Sequence, residues 1–264
     1  MTGQQPTPAE IPLVDGFEYG VEDGIATLTI SRPEKRNALS REMWLALPEI
    51  LPAIDADPNV SVLIITGAGG HFSAGSDIND LNVPLHEFWN TNANAEAAIE
   101  NVDIPTIAAI EGNCVGGGTE IAAACDVRIA KPGSIYGVTA GRLGLVYPPG
   151  PTRRLAAVLG ESFARYILLT ADIVDFDRMN NLGFFHEVSD DPLATAIEKA
   201  KTIAGRSALS QTAAKRILRG EDLTAAEGSW LAESYSSEIS RGQEAFFERE
   251  QPDFTTNRAD WPKD

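Results

Sequence analysis

The chain has 264 residues, of which 38 are acidic and 21 basic, leaving 17 net negative charges with histidine neutral. A hydrophobic fraction of 43% beside 22% charged side chains excludes a wholly disordered, collagenous or coiled-coil chain. The acidic balance repels phosphate backbones and anionic lipid, and no apolar run reaches the roughly 18 residues that a membrane span needs, so neither nucleic acid nor membrane is expected as a partner.

Met1 to Pro8 is polar and proline-bearing, and residues 1–14 read as a frayed tail with no targeting signal, which leads to the expectation of a cytoplasmic protein. Phe17 to Tyr19 and Ile25 to Ile30 are β-rich and flank Glu22, Asp23 and Gly24, the pattern of a hairpin. After a proline-bearing charged loop, Ser40 can cap a helix running to about Ala56, with Trp44, Leu45, Leu47, Ile50 and Leu51 as its apolar stripe and a kink expected at Pro48. Val60 to Thr66 and Pro105 to Ile110 are continuous apolar strands, the mark of burial on both faces. Each is followed by a glycine-bearing turn and then helix-forming sequence: Ala74, Gly75, Ser76 and Asp77 in the first case, Gly116, Gly117 and Gly118 in the second.

From Pro151 onward the strand signal nearly vanishes. Helices are expected over 152–159, 163–169, 193–203, 211–218 and 223–247. The fold class is therefore α/β with a helical tail, divided into a core over 15–190 and a helical C-terminal subdomain over 191–264. Cys114 and Cys125 are too few for a disulfide framework and lack the spacing of a metal site. The run from Cys114 to Thr119 is glycine-rich but lacks the lysine and hydroxyl residue that end a triphosphate-binding loop.

A glycine turn at a helix start presents backbone N–H groups where negative charge can be held, and glycine admits a ligand close to the main chain. Two such turns after neighbouring buried strands can aim their donors at one oxygen. Glu120 follows Gly117 by three residues, so on a helix its carboxylate comes back near that turn, as a general acid/base or as a charge complementing the helix dipole.

At this point the chain resembles the enoyl-CoA hydratase/isomerase, or crotonase, superfamily. The resemblance rests on ordered segments: SRPEKRNAL at 31–39, the strand end at Thr66 and Gly67, HFSAGSDI at 71–78, IPTIAAIEG at 104–112, GGGTEIA at 116–122 and CDVRIA at 125–130. LLTA at 168–171, GFFHEV at 183–188 and EAFFE at 244–248 extend it, so that it covers roughly residues 15–255. It implies a spiral of β-β-α turns, a homotrimer or a hexamer, and an acyl-coenzyme A thioester as substrate with no separate cofactor and no metal. It implies an oxyanion hole from the backbone N–H groups of Ser76 and Gly117, with Glu120 as the acid/base. It also implies thioester contacts from Ala74, Ser76, Asp77, Ile78, Gly117, Ala140 and Tyr147, and a basic loop of Arg32, Lys35 and Arg36 toward the coenzyme A phosphates.

One departure bears on the reaction. The family's hydratases carry a second glutamate where this chain has Ala140. Addition of water asks for two proton-handling groups, whereas one carboxylate suffices to shift a double bond. Glu120 is thus expected to be the single acid/base, facing an apolar wall of Val138, Ala140 and Leu143, with isomerisation or hydration as the outcome. Tyr136, Tyr147, His86 and Glu87 are possible second donors, each equally open to a packing or surface role, and Phe88 and Trp89 can line an acyl pocket or pack. His71 is expected to hold its loop, and Asp126 and Arg128 to be structural. A carbon–carbon (β-diketone) hydrolase on the same fold and a weakly catalytic acyl-CoA-binding protein are the alternative readings.

Overall fold

A computed structural model describes residues 10–80, 83–221, 230 and 232–254. β1 (Phe17–Glu22) and β2 (Ile25–Ile30) pair antiparallel through a turn in which Asp23 and Gly24 both take positive φ, the geometry that matches the twist of a two-residue hairpin. β3 (Val62–Gly67), β4 (Thr106–Ile110), β6 (Val127–Ala130) and the two-residue β9 (Glu187–Val188) then add in parallel, in the order β1-β2-β3-β4-β6-β9. A smaller sheet joins β5 (Asn113–Val115), β7 (Ile135–Gly137) and β8 (Val174–Asp175).

The expectation that the central strands are buried on both faces holds. Alternation sends Leu63, Ile65, Ala108 and Ile110 into the main core, and Val62, Ile64, Ile107 and Ala109 into a second one. Helix α1 (Arg41–Ala56) covers the main face with Trp44, Leu47, Ile50 and Leu51. Its N-terminus is capped as expected, the Met43 amide donating to Ser40 Oγ at 3.3 Å. Leu45 departs from the expected stripe and is exposed. Helices α2 (Leu85–Asn101), α3 (Gly117–Ala124) and α4 (Pro149–Leu159) pack against one another beside the main core, and α5 (Glu161–Thr170) continues from α4. A further helix, α6 (Phe176–Asn181), lies outside the expected ones and is capped by Asp175, which accepts from the Arg178 amide at 2.9 Å.

Of the tail expected over 1–14, residues 1–9 lie outside the described residues, and Ile11 and Val14 pack against the main core. α7 (Pro192–Ala204), the first helix after residue 191, lies on the sheet, where the small side chains of Ala196 and Ala200 let it reach Ile25, Val62, Ile64, Ile107 and Ile129. Helix α8 (Ala208–Leu218) and the residues just after it are tied to the core by charge, since Arg216 and Arg219 both donate to the Asp103 carboxylate. Of the last expected helix, 223–229 lies outside the described residues, and Ile239–Glu248 is its helical end.

Candidate active site

The two glycine turns meet. A β-carbon on Gly75 would lie 2.8 Å from both the Gly117 nitrogen and the Val115 carbonyl oxygen, so only glycine permits this approach of the two loops. Ser76 is placed by an isolated bridge to Leu39, in which the Leu39 amide donates to the Gly75 carbonyl and the Asp77 amide to the Leu39 carbonyl. That pairing uses the Gly75 carbonyl and the Asp77 amide and leaves out the Ser76 amide between them. Among the described residues no backbone acceptor is found for the amides of Ser76 or Gly117. The Ser76 hydroxyl is held instead, accepting from Asn92 Nδ2 at 3.0 Å.

Beside these turns lies a cavity of about 460 Å³ whose wall includes Ala74, Ser76, Asp77, Ile78, Gly117, Ala140 and Tyr147, seven of the residues the sequence singled out. Lys35 and Arg36 stand at its edge. Arg32 does not line it: its guanidinium donates to the Ala38 carbonyl at 2.7 Å and to Asp77 at 3.3 Å. Asp77 also accepts from Lys35 Nζ at 2.6 Å. The hydrogen bond from Lys35, with those of the Asn79 backbone and side chain, holds the Asp77 carboxyl down at about 2. The basic loop is therefore not three free cations. Arg32 and Lys35 share a buried counter-charge, while Arg36 makes no ion pair with any described residue.

Glu120 is fully buried one helical turn beyond Gly117, which lines the cavity, and is not itself among the lining residues. Neither of its carboxylate oxygens has a hydrogen-bond partner among the described residues. Burial raises its pKa well above the ordinary glutamate value, the nearby charge of Glu96 raises it further, and Arg154 opposes the rise.

Glu96 is the residue that sequence reasoning missed. It projects from α2, is 1% exposed and lines the cavity, so the wall opposite Glu120 is not purely apolar. Ala140 and Leu143 do line the cavity, but Val138 is buried elsewhere in the core. Arg154 of α4 donates to Glu96 at 3.5 Å and, more closely, to Glu100 at 2.6 and 3.2 Å. Burial lifts the Glu96 carboxyl to about 8 against the pull of Arg154, and Glu100 adds to the rise. The signal that could have found Glu96 is its spacing: Phe88, Asn92 and Glu96 recur every fourth residue on α2, and all three face the cavity.

Of the other candidates, Tyr136 is a core aromatic against Phe184 and Phe185 and does not line the cavity. Tyr147 does line it, with its phenol pKa raised by burial and by Glu120 and Glu96. His86 and Glu87 lie on a separate surface depression, Glu87 paired with Arg41, and are removed as second donors. His71 holds its loop as expected, Nδ1 accepting from the Asn113 amide at 3.1 Å. Asp126 accepts from the Thr106 amide, and Arg128 donates to the Ala122 and Cys125 carbonyls at the end of α3, both structural tasks. Cys114 and Cys125 are buried thiols, and no cluster of metal-ligating side chains occurs among the described residues.

This arrangement, a parallel-sheet spiral whose paired glycine turns open on one cavity beside a buried carboxylate, is that of the crotonase fold. The chain matches the enoyl-CoA hydratase/isomerase family model over residues 20–257. It is 35% identical to a crotonyl-CoA hydratase of Syntrophomonas wolfei over 190 residues, 70% of this chain and 72% of that protein. It is 30% identical to the peroxisomal Delta(3,5)-Delta(2,4)-dienoyl-CoA isomerase of Arabidopsis thaliana over 227 residues, covering 78% and 82% of the two chains. A solved structure of an enoyl-CoA hydratase/isomerase family protein from Hyphomonas neptunium superposes with a TM-score of 0.83 at 35% identity, over 91% of this chain and 97% of the other. The chain belongs to the enoyl-CoA hydratase/isomerase family and is an enzyme of that family.

Proposed function

We propose that the enzyme acts on coenzyme A thioesters of unsaturated acids, holding an enolate oxygen with the backbone N–H groups of Ser76 and Gly117 and moving a proton with Glu120. The observation that carries this reading is the meeting of the two glycine turns at one cavity, with a carboxylate that has no hydrogen bond one turn behind it. Charge moves onto the thioester oxygen only as the enolate forms, so donors already aimed at that position favour the transition state over the substrate. The relatives support both of the reactions such a site can run, one named as a hydratase and another as an isomerase of double bonds.

Arg36 and Lys35 at the mouth suit the anionic end of coenzyme A, and a local cation close to its anion outweighs acidic charge beyond a Debye length of about 8–10 Å. The chemistry needs no cofactor beyond the coenzyme A of the substrate. A trimer or pair of trimers belongs to the same reading, supported by Leu218, Phe246 and Phe247, which are 87%, 77% and 80% exposed. Light scattering that returns a monomer mass would remove that part.

The test is turnover of 2-enoyl and 3-enoyl coenzyme A thioesters, followed for hydration and for double-bond migration, in the wild type and in Glu120→Gln. Loss of acid/base function is expected to lower kcat about 10²–10⁴-fold with folding intact. Full activity in that variant would place the proton transfer on another group. Binding without turnover in the wild type would mark a thioester-binding protein, and cleavage of a β-diketone without coenzyme A would mark a carbon–carbon hydrolase.

A further inference from the structure

We infer that Glu96 on α2 is a second catalytic acid/base, standing in for the carboxylate that Ala140 removes, so that the enzyme hydrates 2-enoyl thioesters. The inference rests on the thioester reading above and assigns the second proton. Three features of position carry it. Glu96 lines the cavity that Ser76 and Gly117 also line. It comes from a different helix than Glu120, so two carboxylates approach the site from separate elements. Its hold by Arg154 is also loose: the 3.5 Å contact is long, while the same guanidinium grips Glu100 at 2.6 Å.

The charges facing Glu96 are Glu100 on its own helix, Arg154 on α4 and Glu120 on α3, and the phenol of Tyr147 is near both buried carboxyls. One guanidinium already committed to Glu100 cannot neutralise two further buried carboxylates. Burial and the charge of Glu96 on Glu120 disfavour ionising the two carboxyls together, as in coupled pairs. In its singly ionised state, with one carboxylate and one carboxylic acid, the pair has the complement that hydration needs.

In the step itself, the carboxylate takes a proton from water as the water oxygen bonds to C3. The C2–C3 π pair moves toward the carbonyl, and the enolate oxygen is held by the two backbone amides. As the enolate collapses, the carboxylic acid delivers its proton to C2. One water has been added, and a proton passed from the first carboxyl to the second restores the starting state.

The experiment compares the wild type, Glu96→Gln and Glu100→Gln on a short trans-2-enoyl-CoA and its 3-enoyl isomer, with kcat, KM and the pH dependence of kcat/KM recorded. Glu96→Gln is expected to lower hydration kcat about 10²–10⁴-fold, leave KM within a few fold, and remove one limb of the pH profile. Glu100→Gln breaks the closer contact to Arg154 without touching the cavity, and is expected to lose under about tenfold with both limbs kept. Equal losses in the two variants, with the profile unchanged, would make Glu96 a mere anchor for Arg154 and overturn the inference. Hydration at the wild-type rate in Glu96→Gln would overturn it as well. A wild type that only migrates double bonds would overturn it while leaving the thioester reading intact, whereas no turnover of any enoyl thioester would remove both. Should circular dichroism show that Glu96→Gln does not fold, Glu96→Asp withdraws the carboxyl by one methylene and keeps the charge. Hydration is then expected to fall about 10²-fold at unchanged KM, and an undiminished rate would sink the inference.

Discussion

A β-carbon at Gly117 would lie 2.6 Å from Cζ2 of the Trp44 ring, closer than non-bonded carbons pack. The indole of α1 thus forms the floor on which the second glycine turn rests, and the turn's amide is aimed by packing from below. Gly117→Ala is expected to displace either the ring or the turn. Overpacking of this kind costs about 1–3 kcal/mol, and loss of one oxyanion donor lowers kcat by about 10²–10³. Urea melts and thioester turnover measured on the same preparation check both. The reciprocal change, Trp44→Ala, leaves the glycine backbone free but unsupported, and is expected to cost about 3–5 kcal/mol in the same melts.

Among the elements, α7 shows how a helix can be legible while its place is not. Its apolar period over residues 192–204 stands in the sequence, yet nothing local says that Ala196 and Ala200 are buried against Ile64 and Ile107. Ala200→Leu is expected to destabilise the fold by about 1–3 kcal/mol while leaving kcat unchanged, since α7 lies across the sheet from the cavity; denaturant melts and steady-state rates test this together. The strands, the hairpin and the Ser40-capped helix were readable because burial on two faces, paired turn residues and a capping hydroxyl are each written in neighbouring residues. The two glycine turns were readable for the same reason. Glu96 was not, because a glutamate on an amphipathic segment reads as solvated, and only the packing of α2 on α3 and α4 turns that face inward. Arg32 was misplaced for a related reason: its partner Asp77 lies 45 residues away.

For the molecule as a whole, buried carboxyls pull stability in opposite directions with pH. Asp77, lowered from 3.8 to about 2, contributes stability that is complete above its unfolded value and is lost as pH falls from 3.8 through about 2. Glu96, raised from 4.5 to about 8, binds its proton more tightly folded than unfolded, so its burial costs progressively more as pH rises from 4.5 to about 8. Glu120 acts in the same sense. Glu96→Gln is therefore expected to gain in Tm relative to wild type as pH is raised across that interval, while Asp77→Asn is expected to lose less of its stability than wild type below pH 3.8. Thermal melts at a series of pH values read both slopes, and a difference independent of pH would contradict the assignment. The acidic surplus of the chain adds general self-repulsion at alkaline pH, but that contribution is screened by salt whereas the buried one is not, so the Glu96 slope is expected to persist at high ionic strength.

Phe88, Asn92 and Glu96 sit on a single rod at intervals of four residues, roughly 6 Å apart along its axis. An apolar side chain, the tether of the Ser76 hydroxyl and a carboxyl are thus graduations on one ruler along the cavity. A small slide of α2 shifts all three by the same amount and in the same direction, so their mutual spacing survives changes in how the helix is seated. On the proposed function, substitutions beneath α2, on the α1 side, are expected to shift chain-length preference and proton delivery in concert, by one mechanical adjustment in place of three chemical ones.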